Sequence, residues 1–354
     1  MGLVASCGSK QHFSVEGSLA DDQFNGKTVY LYQNGSVVDS AVVADGRFAF
    51  SGEASQPWLA SVAAAGESVR AQLDFIVEPG KLNLDLLAGT VSGSPLNDSL
   101  QAFANVNDYS EFEADMRTYE QIYYSTTDAR ERADAERIYD SLESIGVGRT
   151  FERAKALYLA NKSNALGAYA MSVMAGTDRL TFADMTALLD GACPQVTDNA
   201  KVQARLSQLK AVEETSVGRH YTDIVGVDGR LSDLVDGRVA LVDFYASWCP
   251  PCRAEIKDNL VPLWAKYKDR GLVIVGLNVW ERGDRAKREA AHQKVMADLG
   301  ITYPQLVDST SVATDVYGVR SIPQILLIGK DGTILARDLR GAAIEEAIVN
   351  ALAQ

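Results

Sequence analysis

Three textures of hydrophobic and polar positions follow one another along the chain. Residues 28–32, 36–43, 47–50, 58–63, 69–77 and 82–86 form short alternating or apolar runs, separated by Asn34-Gly35, Asp45-Gly46 and Pro79-Gly80. A period of two punctuated by turn residues predicts an antiparallel β domain over residues 11–94, arranged as a sandwich. From residue 95 to 216 the runs lengthen and charge. Residues 96–145, 147–174, 182–189 and 199–217 are amphipathic with helical spacing, and predict a small helical bundle. From residue 217 to 354 the two periods alternate: apolar runs at 239–244, 272–279, 303–307, 324–328 and 333–338 are interleaved with helical stretches near 285–299, 311–317 and from 342 onward. That alternation predicts an α/β domain. At 354 residues the chain has room for several such domains.

The third texture carries the readable chemistry. The run Val239-Ala240-Leu241-Val242-Asp243-Phe244 leads directly into Tyr245-Ala246-Ser247-Trp248-Cys249-Pro250-Pro251-Cys252. An apolar strand ending in Cys-x-x-Cys and turning amphipathic delivers two thiols to a helix N-terminus. There, residues three apart lie on one face and can pass between dithiol and disulfide. The positive helix end favours a thiolate at Cys249. Pro250 suits the first helical position, but neither proline has an N–H, so the first backbone donor for the Cys249 sulfur is that of Cys252. A moderately depressed Cys249 pKa follows, nearer the upper end of the range of roughly 3.5 to 7.5 known for such thiols. A zinc site needs further ligands, and His12, His220 and His292 all lie far from the pair in sequence, so no metal is expected.

Residues 217–354 resemble the TlpA/ResA-like thiol-disulfide oxidoreductases of the thioredoxin superfamily, membrane-tethered redox proteins of bacterial envelopes. The resemblance rests on the Cys pair after its strand, the order of elements that follows, and Val319-Arg320-Ser321-Ile322-Pro323 opening the strand at 324–328. It implies a thioredoxin-like fold with a redox-active Cys249–Cys252 disulfide and no other cofactor. Pro323 would be cis and pack on the disulfide, with Ser321 and Ile322 docking substrate. Trp248, Pro250 and Pro251 would wall the substrate site, the alternative for Trp248 being a place in the core. Asp243 would lie beneath Cys252 as its proton acceptor, or else face solvent at a strand edge. Glu255, in Cys252-Arg253-x-Glu255, would tune thiol acidity or be a solvated helix charge. The family's helix-kinking proline is replaced by Lys257. Pro262 comes later, and is expected to divide the active-site helix into two segments. The β domain likewise looks like the module often found ahead of such redox domains.

Residues 1–10 read as a signal remnant and tether. Leu3-Val4-Ala5-Ser6-Cys7-Gly8-Ser9 resembles a lipobox, which would make Cys7 a lipid anchor on an envelope protein facing the periplasm, although the usual basic and apolar segments are missing upstream. Cys193 is left over and reads as a buried, inert thiol. The formal charge of −13 disfavours nucleic acid and adhesion to anionic lipid. The expected partners are protein thiols and disulfides and a membrane electron donor or acceptor. A reductase is the leading reading. A non-enzymatic envelope binding protein with an auxiliary redox domain is the alternative from another class. A thiol peroxidase is disfavoured because no threonine or arginine stands close before Cys249, and copper delivery because the spacing is Cys-x-x-Cys.

Overall fold

The computed structural model describes residues 10–66, 70–227, 229–308 and 312–354. Cys7 and its lipobox lie outside them. The chain divides into two compact units, Met1–Arg205 and Leu206–Gln354.

The first unit opens with eight strands: β1 (Gln11–Ser18), β2 (Thr28–Gln33), β3 (Ser36–Val42), β4 (Arg47–Ala54), β5 (Trp58–Ala65), β6 (Arg70–Val77), β7 (Gly80–Asp85) and β8 (Thr90–Ser92). They form two four-stranded sheets, β4-β1-β7-β8 and β3-β2-β5-β6. Alternation sets the inner faces: in β4, Phe48 and Phe50 are buried between exposed Arg47, Ala49 and Ser51. Those phenylalanines join Val15, Leu31, Val62 and Phe75 in one core. The pairing departs from the antiparallel expectation once, where β1 and β7 run parallel from Phe13↔Gly80 to Ser18↔Asp85. The chain leaves β6 in one sheet for β7 in the other, and this crossover sets β7 beside β1 in the same sense.

Seven helices follow, at Pro95–Ala104, Glu113–Ser125, Ala129–Ala160, Ala165–Ala175, Phe182–Leu189, Pro194–Thr197 and Ala200–Glu214. The stretch read as a single amphipathic run over 96–145 holds parts of three helices, and the break expected at Gly146 does not occur. There the ring of Tyr109 packs so closely that a β-carbon would lie 2.2 Å from it, so this glycine admits a neighbour instead of ending the helix. Cys193 is a free thiol, half-buried where a buried one was expected.

The second unit holds a small hairpin, β9 (Val225–Gly226) and β10 (Gly229–Arg230), and a five-stranded sheet of β11 (Val239–Tyr245), β12 (Leu272–Asn278), β13 (Gln305–Val307), β14 (Gln324–Ile328) and β15 (Ile334–Ala336). The order is β13-β12-β11-β14-β15, with β11, β12 and β13 parallel and β14 and β15 antiparallel to their neighbours. Central strands covered on both faces read as unbroken apolar runs, and all seven residues of β11 and of β12 are buried. One face packs Leu241, Ile274 and Leu327 against the helices at Pro250–Tyr267 and Ala342–Leu352. The other packs Val242, Val275 and Leu326 against helices at Leu231–Val235 and Val312–Tyr317.

Candidate active site

Strand β11 ends at Tyr245, and four residues on, Cys249 caps the next helix. Its Sγ accepts the backbone N–H of Cys252 at 3.2 Å, the first donor available after two prolines. The two cysteines are joined in a disulfide, with Cα atoms 5.3 Å apart. The helix continues to Tyr267 without a break, as α over Pro250–Glu255, π over Ile256–Leu260 and α over Val261–Tyr267. Pro262 therefore divides the α-helix as expected, but by a π-helical turn that absorbs its missing N–H rather than by an opening of the helix. Across from the pair, the Ile322–Pro323 peptide bond is cis. The Ile322 carbonyl oxygen lies 3.8 Å from Cys249 Sγ. Pro323 is buried, Ile322 half-buried and Ser321 exposed, and so are Pro250 and Pro251.

Asp243 stands in the middle of β11 at 1% exposure. Leu241 and Tyr245, two positions either side of it on β11, face the same core as Cys249, Cys252 and Ile256, so alternation puts the carboxyl on the face covered by the active-site helix. Neither carboxyl oxygen has a hydrogen-bond partner among the described residues. Burial pushes its pKa up to about 8; the nearby Arg340 charge opposes the rise and that of Glu255 adds to it. Burial raises the phenols of Tyr245 and Tyr303 too, with the Asp243 charge adding to each.

Glu255 accepts Asn259 Nδ2 at 2.8 Å and the Gly341 N–H at 3.1 Å through one oxygen. These hydrogen-bond partners lie on its own helix and on the 340–341 loop rather than at the thiols. Arg340, on that loop, donates to the carbonyl of Pro323. A carboxylate from the active-site helix and a guanidinium from the loop tie the helix, the loop and the cis-proline together.

Trp248 is 40% exposed, which sets aside the core reading. Its Nε1 donates to the Trp280 carbonyl at 2.9 Å, and the Arg282 guanidinium lies 4.2 Å from its ring centre. Glu281 accepts the Ser247 N–H on one oxygen and the Ser247 hydroxyl on the other, the latter at 2.7 Å. Sequence reasoning missed Arg340, Trp280, Glu281 and Arg282. None sits in a local motif, and each is brought in by the sheet from a distant loop.

Comparison with known proteins covers the two ends of the chain. Residues 217–337 match the AhpC/TSA family and residues 13–100 match a domain of unknown function, DUF4369. The thiol-disulfide oxidoreductase ResA of Halalkalibacterium halodurans is 28% identical over 34% of this chain and 65% of its own. That of Geobacillus kaustophilus is 30% identical over 35% of this chain and 67% of its own. The thiol:disulfide interchange protein HelX of Rhodobacter capsulatus is 35% identical over 33% and 60%. The chain thus spans about three fifths to two thirds of the length of these curated relatives. It belongs to the ResA/TlpA-like thiol-disulfide oxidoreductases of the thioredoxin superfamily.

Proposed function

We propose that the protein exchanges disulfides with protein substrates through Cys249 and Cys252, and works as a reductase. The observation that carries this reading is the setting of the pair: a sulfur capped by an N–H at a helix start, beside a cis-proline loop whose Ile322 carbonyl faces it. The Cys249 thiolate attacks one sulfur of a substrate disulfide, forming a mixed disulfide and releasing the other substrate sulfur as a thiolate. Asp243 in its ionised form takes the proton of Cys252, whose thiolate then attacks the Cys249 sulfur and releases the second substrate thiolate. Two electrons pass from the pair to the substrate, and the Cys249–Cys252 disulfide is left to be re-reduced. Trp248, Pro250, Pro251, Ser321 and Ile322 form the surface on which a substrate chain lies, and an acid with pKa about 8 is matched to a thiol of ordinary acidity.

The same reading places the protein in a bacterial envelope, held by a lipid at Cys7 and supplied with electrons by a membrane donor. The family's membership supports it, and among the described residues no helix is long and apolar enough to cross a membrane.

The test is the reduction potential of the pair in dithiothreitol or glutathione buffers, with Cys249→Ser and Cys252→Ser as controls. A value near or below about −270 mV is expected of a reductase, and one near about −120 mV would make the protein an oxidant. If no two-electron couple forms, the reading fails and a binding role takes its place.

A further inference from the structure

A row of three residues crosses the central strands of the second unit's sheet. Asp243 on β11 is in register with Gly276 on β12, and Gly276 with Gln305 on β13. Partners in register on parallel strands point to one face, a strand spacing of about 4.8 Å apart. A side chain at position 276 would therefore stand directly beside that of Asp243, on the face covered by the active-site helix. Gly276 has none, and the Gln305 amide lies in that space: a β-carbon on Gly276 would sit 2.4 Å from Gln305 Nε2 and 2.5 Å from Oε1. A glycine inside a buried strand weakens it, and marks a place where another group must come close.

Both ends of that amide are held. Its Nε2 donates to the Tyr303 and Pro304 carbonyls at 3.2 and 3.1 Å, its Oε1 accepts the Tyr245 hydroxyl at 2.7 Å, and His292 Nε2 lies 3.5 Å from Oε1. On its other side Gln305 lines, together with His292, a cavity of about 760 Å³ against the helix Arg285–Leu299. Exposed Arg285 and Glu289 belong to the same lining, so solvent reaches the cavity. The Gln305 side chain thus stands between that solvent and an acid that is 1% exposed.

We infer that Gln305 is a plug, a positioning residue that fills the gap left by Gly276, keeps solvent in the cavity from Asp243, and so sets the pH at which that acid can accept the Cys252 proton. The inference rests on the disulfide-exchange reading and adds to it a residue that acts through Asp243. The charged and titratable groups facing Asp243 come from several elements. Cys249, Cys252 and Glu255 belong to the active-site helix, Arg340 to the 340–341 loop, Tyr303 to the lead into β13 and Tyr245 to β11 itself, with His292 beyond the amide. Burial outweighs the charges of Arg340 and Glu255 in raising the acid's pKa, and burial is what the plug supplies on this side. A carboxylate that water can reach regains its hydration, and its pKa drops. The bonds of the amide fix where the plug sits, and its bulk makes the seal.

The test follows the Asp243 carboxyl carbon by carbon-13 NMR across the pH range in the full chain with its disulfide formed, the signal being identified by its loss in Asp243→Asn. In the unmodified protein it is expected to titrate near pH 8. In Gln305→Ala the midpoint is expected to fall by about one pH unit or more, a tenfold or greater rise in the ionisation constant, towards the ordinary value of about 4. In Gln305→Met, which fills the gap without an amide, it stays near the parental value. Both variants take the same acceptor from Tyr245, so only the lost volume separates them, and an Asp243 signal resolved from the other aspartates shows that each is folded. An unmoved midpoint in Gln305→Ala overturns the inference. So does an equal fall in Gln305→Met, which would give the effect to the amide's bonds, and so does a parent that already titrates near pH 4. The pH profile of the Cys252 step, read by stopped flow on the reduced protein with a disulfide-bridged peptide, separates the inference from the reading beneath it. A kinetic midpoint that falls with that of the carboxyl supports both, whereas one that does not follow leaves the plug standing and takes Asp243 out of the exchange.

Discussion

The buried polar groups of the two units stand in opposite circumstances. Asn97, fully buried in the first unit, has every need met. Its Oδ1 accepts the Ile76 N–H at 2.8 Å, and its Nδ2 donates to the Ile76 carbonyl and to Ser94 Oγ, both at 2.7 Å. Asp108 in the same unit is held by Arg153 through both oxygens, at 3.0 and 2.8 Å, and by Thr150 at 2.6 Å. The bond from Arg153 keeps its carboxyl below the usual carboxylate range. Asp243, in the centre of the second unit's sheet, has no partner on either oxygen among the described residues. A buried group with its bonds made fixes a structure, whereas one left without them lowers stability and stays available to gain or lose a proton.

The contrast is broken most directly at Asp243. Its carboxyl stays neutral in the folded protein up to about pH 8, while in the unfolded chain it ionises from about pH 4. The unfolded state thus loses its proton first, and stability falls as pH rises from about 4 through about 8. Asp243→Asn has no proton to lose. By chemical denaturation it should match the parent near pH 4 and exceed it near pH 8 by several kcal/mol, at most about 5. The same variant should slow the attack of Cys252 on a mixed disulfide by about 100-fold. Next in size, Asn97→Ala should destabilise by about 2–4 kcal/mol with no such gain at any pH, because it strands both backbone groups of Ile76. Asp108→Asn should lower stability by about 1–2 kcal/mol at neutral pH. Because the Asp108 pKa is depressed, that contribution is present above the unfolded value and lost on acidification, so denaturation of parent and variant should converge in acid. The smallest effect is expected at Glu255→Gln, within about 0.5 kcal/mol in stability, since the amide oxygen can still accept from Gly341. Removing a charge that raises the Asp243 pKa should nonetheless move the pH midpoint of the Cys252 step downward; an unmoved midpoint would mean that Glu255 does not act on Asp243.

What the sequence disclosed was what is written locally. The seven-residue apolar strand, the cysteines three apart and the X-Pro opening β14 are contiguous signals, and each marks a place that the fold brings to the same end of one sheet. Signals that depend on a distant partner were not readable. Gly146 resembles a helix end until Tyr109, 37 positions earlier, is seen against it. The direction of β7 depends on which sheet it enters, not on its own residues. Glu281 and Arg340 look like ordinary surface charges and gain a role only when long loops return to Ser247 and Pro323.

The parallel pairing of β1 also bears on the order in which the first unit can be assembled. β1 sits inside its sheet, bonded on one side to β4 and on the other to β7, so its two neighbours lie some 30 and 70 residues further along the chain. The β2–β3 hairpin can close on its own residues as soon as they exist, but the first strand must wait for the last part of the sandwich before its second edge is covered. Contacts of such long sequence separation are the slow ones to form. In a chain made from its N-terminus, the strand made first would be among the last to be fully held, and losing it would part β4 from the β7–β8 pair.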